Sequence, residues 1–187
     1  MAKKCIVDQY VDADDGARVD IILNNYTGFT RMLDGYVKSL SASILDERND
    51  NYRSSLGNLG VRVQSSNISN PTFNDAAGRT DIEAAINAGD WISALKGSND
   101  VLDRRSVVET IGKMRYHYDI VSGQVEALED KDYKVFMKYL DSDMTYDELA
   151  DFFKTTYESI KTRVYRARSA IKLGSLDMMN HREMKCA

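Results

Sequence analysis

The chain has 187 residues, of which 43% are hydrophobic, 29% are charged and a single one is proline. This composition predicts a protein that folds around a buried core and is rich in helix, and it excludes collagen-like, proline-rich and wholly disordered chains. The formal net charge of −4 argues against a surface that is basic throughout, as a general nucleic-acid coat would require.

The sequence contains no segment typical of export or of membrane insertion. No window approaches the roughly 18 consecutive apolar residues of a membrane-spanning helix, and Asp8 comes too early for a signal-peptide core. Cys5 and Cys186 stand near opposite ends without the pattern of a zinc site or a disulfide framework. We therefore expect a cytoplasmic protein with reduced thiols and without a membrane, metal or cofactor.

The first elements are predicted to be a flexible leader and a long helix. Residues 1–16 contain four aspartates and little apolar periodicity, which predicts the leader. From residue 17 to about 46, apolar residues recur at alternate spacings of three and four, which predicts one helix with a coiled-coil-like stripe. The stripe consists of Val19, Ile22, Tyr26, Phe29, Leu33, Tyr36 and Leu40.

A long polar loop is predicted over residues 49–79, which are rich in glycine, serine and asparagine and hold Pro71. Thr80 and Glu83 have the spacing of a capping box, so a short helix is predicted to begin there and to end or bend at Gly89. A second heptad-like helix follows. Its stripe consists of Val107, Ile111, Met114, Tyr118, Val121, Val125 and Leu128.

Residues 17–124 are therefore expected to form a helical N-terminal domain. Its two long helices can pair antiparallel within one chain, or they can form the seam of a homo-oligomer. The heptad pattern permits both. Tyrosines within the stripes favour packing inside one chain.

Residues 125–174 are predicted to form a domain of short helices joined by short turns. The first helix covers about 130–140, and Thr145 with Glu148 forms a capping box that opens the second. Thr156 can cap a third helix, which runs to Lys172. Its predicted inward residues are Ile160, Val164, Ala167 and Ile171. Residues 175–187 are expected to be a polar tail.

The third of these helices is basic within an acidic protein. From Lys154 to Lys172 the chain has six lysines and arginines and one carboxylate, Glu158. In a helix-turn-helix the second helix enters the major groove, while its flanks and the first helix contact phosphates. The residues predicted to bind DNA are Thr156, Tyr157, Glu158, Ser159, Lys161, Thr162, Arg163, Tyr165, Arg166, Arg168 and Lys172.

Two kinds of DNA contact are expected from this set. Lys161 can donate to guanine, Glu158 can accept from the cytosine amino group, and the hydroxyls of Ser159 and Thr162 can do either. The residues expected to hold phosphates are Arg163, Arg166, Arg168 and Lys172.

The segment from Asp143 to Phe153, followed by Thr156 to Arg168, resembles the region-four helix-turn-helix of sigma-seventy-type factors. Its most specific parts are Tyr-Asp-Glu-Leu-Ala at 146–150 and Ile-Lys-Thr-Arg-Val-Tyr-Arg-Ala-Arg at 160–168. Two residues depart from the family pattern: Lys154 stands where a turn glycine is usual, and Thr155 where an aliphatic residue is usual. The resemblance implies an all-α protein that ends in a DNA-binding domain.

The layout of the whole chain is similar, more loosely, to phage and prophage late-transcription regulators of the ArpU and RinA kind. Those proteins combine a helical N-terminal part, a polar connection like Asn70-Pro71-Thr72 and a sigma-like C-terminal domain. The resemblance implies an activator of phage late genes that binds double-stranded DNA on the bacterial nucleoid and works with host RNA polymerase. Two alternatives stay open: a sigma factor that binds core polymerase directly, although no region-two domain is evident, and a protein-interaction module that does not bind DNA.

An enzyme is not expected from the residues available. His117 and His181 are the only histidines, and neither has metal-ligand spacing to a second ligand. We expect His117 to be a surface or half-buried helix residue, His181 to belong to the polar tail and Trp91 to lie in the core.

Overall fold

The computed structural model of the protein describes residues 5–55, 71–142 and 144–183, and the regular structure within these ranges is helical throughout. The predicted all-α fold class is thereby confirmed for this part of the chain. The elements are α1 (Ile6–Val11), α2 (Asp15–Asn24), α3 (Tyr26–Ser55), α4 (Pro71–Ala88), α5 (Trp91–Ala94), α6 (Val101–Glu126), α7 (Asp130–Asp141), α8 (Tyr146–Phe152) and α9 (Tyr157–Glu183). No helix in the described ranges is long and apolar enough to cross a lipid bilayer.

The chain divides into two compact units. Unit 1 consists of Met1–Thr30 and Met114–Ala187, and unit 2 consists of Arg31–Lys113. Both divisions fall within long helices, α3 and α6, whereas the sequence pattern places a boundary after residue 124. The difference arises because α2 packs against α9 in unit 1, a contact between distant parts of the chain that no local pattern records.

A helix, α1, lies within the segment that the sequence predicts to be a flexible leader, and residues 1–4 of that segment lie outside the described residues. In α1, Val7 and Tyr10 are 4% and 1% exposed, and the Tyr10 hydroxyl lies 2.8 Å from Nδ1 of His117. His117 is therefore buried, not at the surface or half-buried as predicted, because a partner on α1 covers it. Burial raises the pKa of Tyr10 well above its ordinary value, so the phenol stays protonated at neutral pH.

The first predicted long helix is two helices in the structure. The side chain of Asp14 caps α2 by accepting from the Ala17 amide. Asn25 then ends α2, and its side-chain amide donates to the Ile21 carbonyl over 2.8 Å. An asparagine side chain that bonds the backbone in this way competes with the helical ladder. Beyond the break, α3 continues to Ser55, past the end predicted near residue 46.

The two heptad-like stripes meet inside the chain. In unit 1, the Tyr26 hydroxyl lies 3.0 Å from Oγ of Ser122, and the Phe29 ring stacks on that of Tyr118 with centroids 5.4 Å apart. The partner number on α6 falls as the residue number on α3 rises, so the helices are antiparallel here, which is one of the two arrangements that the heptad pattern permits. Most residues of both stripes are buried within the chain, and the others are half-buried.

α4 begins earlier than the sequence predicts. Pro71 is its first residue, a position that suits proline because the first amide of a helix has no partner within the helix. The capping box predicted at Thr80 does not form, since the Thr80 hydroxyl donates to the Ala76 carbonyl in mid-helix. Gly89 follows the end of α4 with a φ of 72°, as the sequence indicates. Residues 56–70, the middle of the predicted loop, lie outside the described residues.

Unit 2 closes around apolar side chains from α3, α4, α5 and α6. The core residues are Val37, Ile44, Ile82, Ile86, Ala94, Leu95, Val108 and Ile111. Trp91 packs half-buried against this core, as predicted, and the Arg105 guanidinium lies 4.5 Å from the centroid of its ring. The backbones of Gly89 and Gly112 meet so closely that a Cβ on Gly112 would lie 2.6 Å from the Gly89 Cα.

The last helix extends well into the predicted polar tail. α9 runs to Glu183, and Ser175 and Met179 are buried at 0% and 5% exposure. Burial of these side chains in unit 1 explains why the helix does not stop near residue 174. His181 lies within this helix with its side chain exposed. Residues 184–187 lie outside the described part of the chain.

Candidate nucleic-acid interface

The start of α8 is set by a reciprocal cap, as the sequence predicts. The Thr145 hydroxyl accepts from the Glu148 amide, and the Glu148 carboxylate accepts from the Thr145 amide over 2.7 Å. The bond from the Thr145 amide lowers the pKa of Glu148 below its ordinary value, so the carboxylate stays charged at the positive end of the helix.

The turn between α8 and α9 uses a lysine in a backbone conformation that favours glycine. Lys154 has a φ of 50°. Its amide donates to the Asp151 carbonyl, and the Thr155 amide donates to the Ala150 carbonyl over 2.9 Å, which closes the end of α8. The two residues that depart from the family pattern thus still make a tight turn, and the polar Thr155 side chain is exposed.

α9 begins at a threonine cap and turns an apolar face inward, both as predicted. The Ser159 amide donates to Oγ1 of Thr156 over 3.3 Å. The inward residues Ile160, Val164, Ala167 and Ile171 are between 0% and 4% exposed. The helix packs against α2, α7 and α8, so unit 1 holds it in place along several turns.

The opposite face of α9 carries most of the residues predicted to bind DNA. Those exposed are Thr156, Tyr157, Glu158, Lys161, Thr162, Tyr165 and Arg166, with Tyr165 at 73%. Those half-buried are Ser159, Arg163, Arg168 and Lys172. Within the described ranges, Lys161 and Arg166 form no salt bridge, so their charges face solvent. Lys161 and Arg166 are thus both exposed on α9, as are the hydroxyl-bearing residues Thr156 and Thr162.

The half-buried cations have partners within unit 1 that sequence reasoning missed. Arg163 pairs with Asp132 of α7 over 3.3 Å. Arg168 donates to Oδ1 of Asn24 over 2.6 Å and lies 3.4 Å from Asp20, both on α2. No signal in the sequence links residues so far apart, because their pairing depends on which helices pack together.

Lys172 shares the partner of Arg168. Its Nζ lies 2.6 Å from Oδ2 of Asp20, so two cations converge on one carboxylate. Partial burial raises the pKa of Asp20, but the hydrogen bond from Lys172 and the charges of Lys172 and Arg168 outweigh it. The net result is a pKa below the ordinary value, and Asp20 is ionised at neutral pH.

Three tyrosines from successive helices contact one another at the start of α9. The rings of Tyr139 and Tyr146 stack with centroids 5.6 Å apart, and Tyr157 meets Tyr146 edge-on at 5.9 Å. The Lys161 ammonium lies 5.8 Å from the centroid of Tyr157. Desolvation raises the pKa of Tyr146, so it remains a neutral donor. The contact between the Lys161 ammonium and the Tyr157 ring orients these two side chains relative to each other on the exposed face.

An open groove of about 400 Å³ lies between α7 and the end of α8. Its lining residues are Tyr133, Lys134, Met137, Lys138, Asp141, Phe152 and Phe153. Phe152 is 58% exposed, and the Lys138 ammonium lies 5.1 Å from its ring centroid. The sequence places Phe152 and Phe153 on the apolar side of α8 and gives no indication that a groove forms there.

Within the described ranges, no group of three histidine, cysteine or acidic side chains is arranged to hold a metal ion. No protein-family model, curated protein or solved structure matches the chain. The residues themselves therefore carry the functional argument.

Proposed function

We propose that this protein is a sequence-specific DNA-binding regulator of transcription, which uses α9 as the recognition helix of a helix-turn-helix. The observation that carries the proposal is the outward face of α9. Lys161 and Arg166 lie there, exposed and without a salt bridge to another described residue, opposite the buried face that begins at Ile160. Exposed cations and hydroxyls on a firmly packed helix suit the major groove.

The local construction of α8 and α9 supports the same proposal. A capped first helix, a tight turn and a threonine-capped second helix follow in the order that the resemblance to sigma region four implies. The first turns of α9 present Glu158, Lys161 and Thr162 to a partner. Because these residues can bond to base edges, they would supply sequence discrimination, while Arg166 would hold a phosphate.

The regulatory role that we propose comes from the resemblance to late-transcription regulators. On this proposal the protein activates phage late genes in the bacterial cytoplasm, together with host RNA polymerase. The groove beside Phe152 supports a second candidate function, a module that binds polymerase or another protein in place of DNA. Direct and stable binding to core polymerase would instead indicate a sigma factor.

The test is a selection of random fragments of the source genome by the purified protein at moderate salt. The variant Lys161→Ala/Arg166→Ala is selected in parallel. A matched control, Lys38→Ala/Lys113→Ala, removes the same charge from exposed positions in unit 2. We expect wild type and the control to enrich one site upstream of a block of genes, and the α9 variant to lose it.

Binding to the enriched site is then measured as a function of salt concentration. Loss of Arg166 removes one phosphate contact and lowers the salt slope by roughly one unit, and loss of the Lys161 base contact weakens binding about fivefold or more. Equal affinity of the α9 variant and wild type for the enriched site would contradict the assignment of α9 as the recognition helix. If wild type enriches no fragment, the DNA proposal fails, and binding to polymerase tests the second candidate.

A further inference from the structure

Two cations of α9 converge on a single carboxylate from α2. Lys172 Nζ lies 2.6 Å from one oxygen of Asp20, and Arg168 Nη2 lies 3.4 Å from the other. Asn24, one helical turn further along α2, accepts from the same Arg168 nitrogen over 2.6 Å. Two cations that contact the two oxygens of one carboxylate form an anion-binding site, and the protein's own carboxylate fills it.

The position of this site on α9 relates it to DNA. Arg168 and Lys172 follow Lys161 and Arg166 along the helix, in the part where phosphate contacts set the register of a recognition helix. A carboxylate offers the same charge-assisted bonds to arginine and lysine as a phosphate oxygen does. If Arg168 and Lys172 hold phosphates, as their place on α9 predicts, Asp20 occupies groups that would otherwise contact the DNA backbone.

The contact is open to competition. The side chains of Asp20, Arg168 and Lys172 are 38%, 31% and 36% exposed, so solvent screens the pairs and reaches them. The pKa of Asp20 lies below its ordinary value because the bonds and charges of Lys172 and Arg168 outweigh the effect of its partial burial, so the competing charge is present throughout the neutral range.

We infer that Asp20 acts as an intramolecular phosphate mimic, which occupies Arg168 and Lys172 and thereby limits the affinity of α9 for the DNA backbone. The inference rests on the proposed function, since it concerns the regulation of the same site. It implies that the wild-type protein binds non-specific DNA weakly and depends more on base contacts. Release of α2 from α9 would raise the affinity of α9 for DNA of any sequence.

A merely structural role for Asp20 predicts the opposite result. If Asp20 only held Arg168 and Lys172 in position, its removal would disorder the two cations and weaken DNA binding. The isosteric change Asp20→Asn keeps the size of the side chain and some of its hydrogen bonds while it removes the charge. The sign of its effect on DNA affinity therefore separates competition from positioning.

The test measures binding of a random-sequence duplex of about 30 base pairs over a range of salt concentrations. The control is Asp119→Asn, which lies on the exposed side of α6 in unit 1. It removes the same charge at a position away from the contact of Asp20 with Arg168 and Lys172. For Asp20→Asn we expect about three- to tenfold tighter binding and a salt slope steeper by roughly one to two units, because two further phosphates are contacted. Circular dichroism checks that both variants keep the helical content of wild type.

A second pair of variants assigns the gain to the two cations. Arg168→Ala/Lys172→Ala is expected to change the salt slope little in wild type, where Asp20 occupies the cations, and to abolish the gain in the Asp20→Asn background. A gain that survives the double alanine change would overturn the inference, as would equal or weaker binding of Asp20→Asn relative to Asp119→Asn. These results leave the proposed function standing if wild type still enriches its site. Absence of binding by wild type and Asp20→Asn alike would overturn both.

Discussion

Two arginines of unit 2 are held by internal bonds, whereas two cations of α9 in unit 1 are exposed. In unit 2, Arg104 donates to Glu47 over 2.8 Å, and Arg48 donates to the carbonyls of Ser93 and Ala94. In unit 1, α9 leaves Lys161 and Arg166 exposed and without a salt bridge to another described residue.

Arg168 and Lys172 lie between these two cases, because they pair with Asp20 and their side chains are still about one-third exposed. Charge composition alone therefore does not distinguish cations held by bonds within a unit from cations exposed at its surface. What separates them is where each side chain lies relative to the core of its unit.

The largest expected effect is on the stability of unit 2. Gly112→Ala places a Cβ 2.6 Å from the Gly89 Cα and 2.8 Å from its nitrogen, both backbone atoms that cannot move aside as a flexible side chain can. We expect a loss of about 1–3 kcal/mol in the free energy of unfolding, measured by chemical denaturation.

Gly35→Ala is the matched control for that change. It lies in mid-helix in α3 with no atom within 4 Å of the added Cβ, so we expect a gain of about 0.5–1 kcal/mol from helix propensity. Equal stability of the two variants would mean that the close approach of Gly89 and Gly112 does not constrain unit 2. DNA affinity is expected to stay at the wild-type level in both.

The second prediction compares one cation from each unit. Arg104→Ala removes the bonds to Glu47 and to the hydroxyls of Ser43 and Ser98, which should cost about 1–2 kcal/mol because the groups are partly buried. Arg166→Ala should change stability by less than about 0.5 kcal/mol, since the side chain is exposed.

DNA binding should respond in the reverse order. Arg166→Ala is expected to weaken it, and Arg104→Ala to leave it unchanged at temperatures where the variant is folded. A stability loss for Arg166→Ala as large as that for Arg104→Ala would contradict the assignment of Arg166 to a binding surface. Thermal melts and DNA titrations of the same two preparations give both quantities.

A small gain in stability is expected from a change in the turn before α9. Lys154 holds a φ of 50°, which is unfavourable for a side chain with a Cβ. Lys154→Gly should therefore raise stability by about 0.5–1 kcal/mol, the backbone relief being partly offset by the greater freedom of glycine in the unfolded chain. Lys154→Ala, which also loses the charge but keeps the Cβ, should show no such gain. A gain for alanine as large as that for glycine would locate the effect in the charge.

The sequence predicts those parts of the candidate site whose geometry depends only on residues close together in the chain. The cap of Thr145 on Glu148 and that of Thr156 on Ser159 each span three residues. The inward face of α9 follows from helical periodicity alone. The cap predicted at Thr80 has the same spacing and is absent, because Pro71 had already started α4 and Thr80 lies inside it.

The remaining differences between the predicted helices and those of the structure share one cause, which is packing against distant residues. α1 forms because Tyr10 reaches His117, and α9 extends into the predicted tail because Ser175 and Met179 are buried. A short acidic segment or a polar tail shows no strong pattern of its own, so its order depends on what it packs against.

The sequence by itself determined the helical class, the two apolar stripes, the threonine caps of α8 and α9 and the face of α9 that remains outside. These features depend on contacts within a few residues and on the helical period, which the order of residues contains directly. Only the tertiary structure decided which cations of α9 are exposed and which are held by Asp20 and Asp132. Those pairs join residues far apart in the chain, and their energies depend on burial and distance, which arise only when the helices pack.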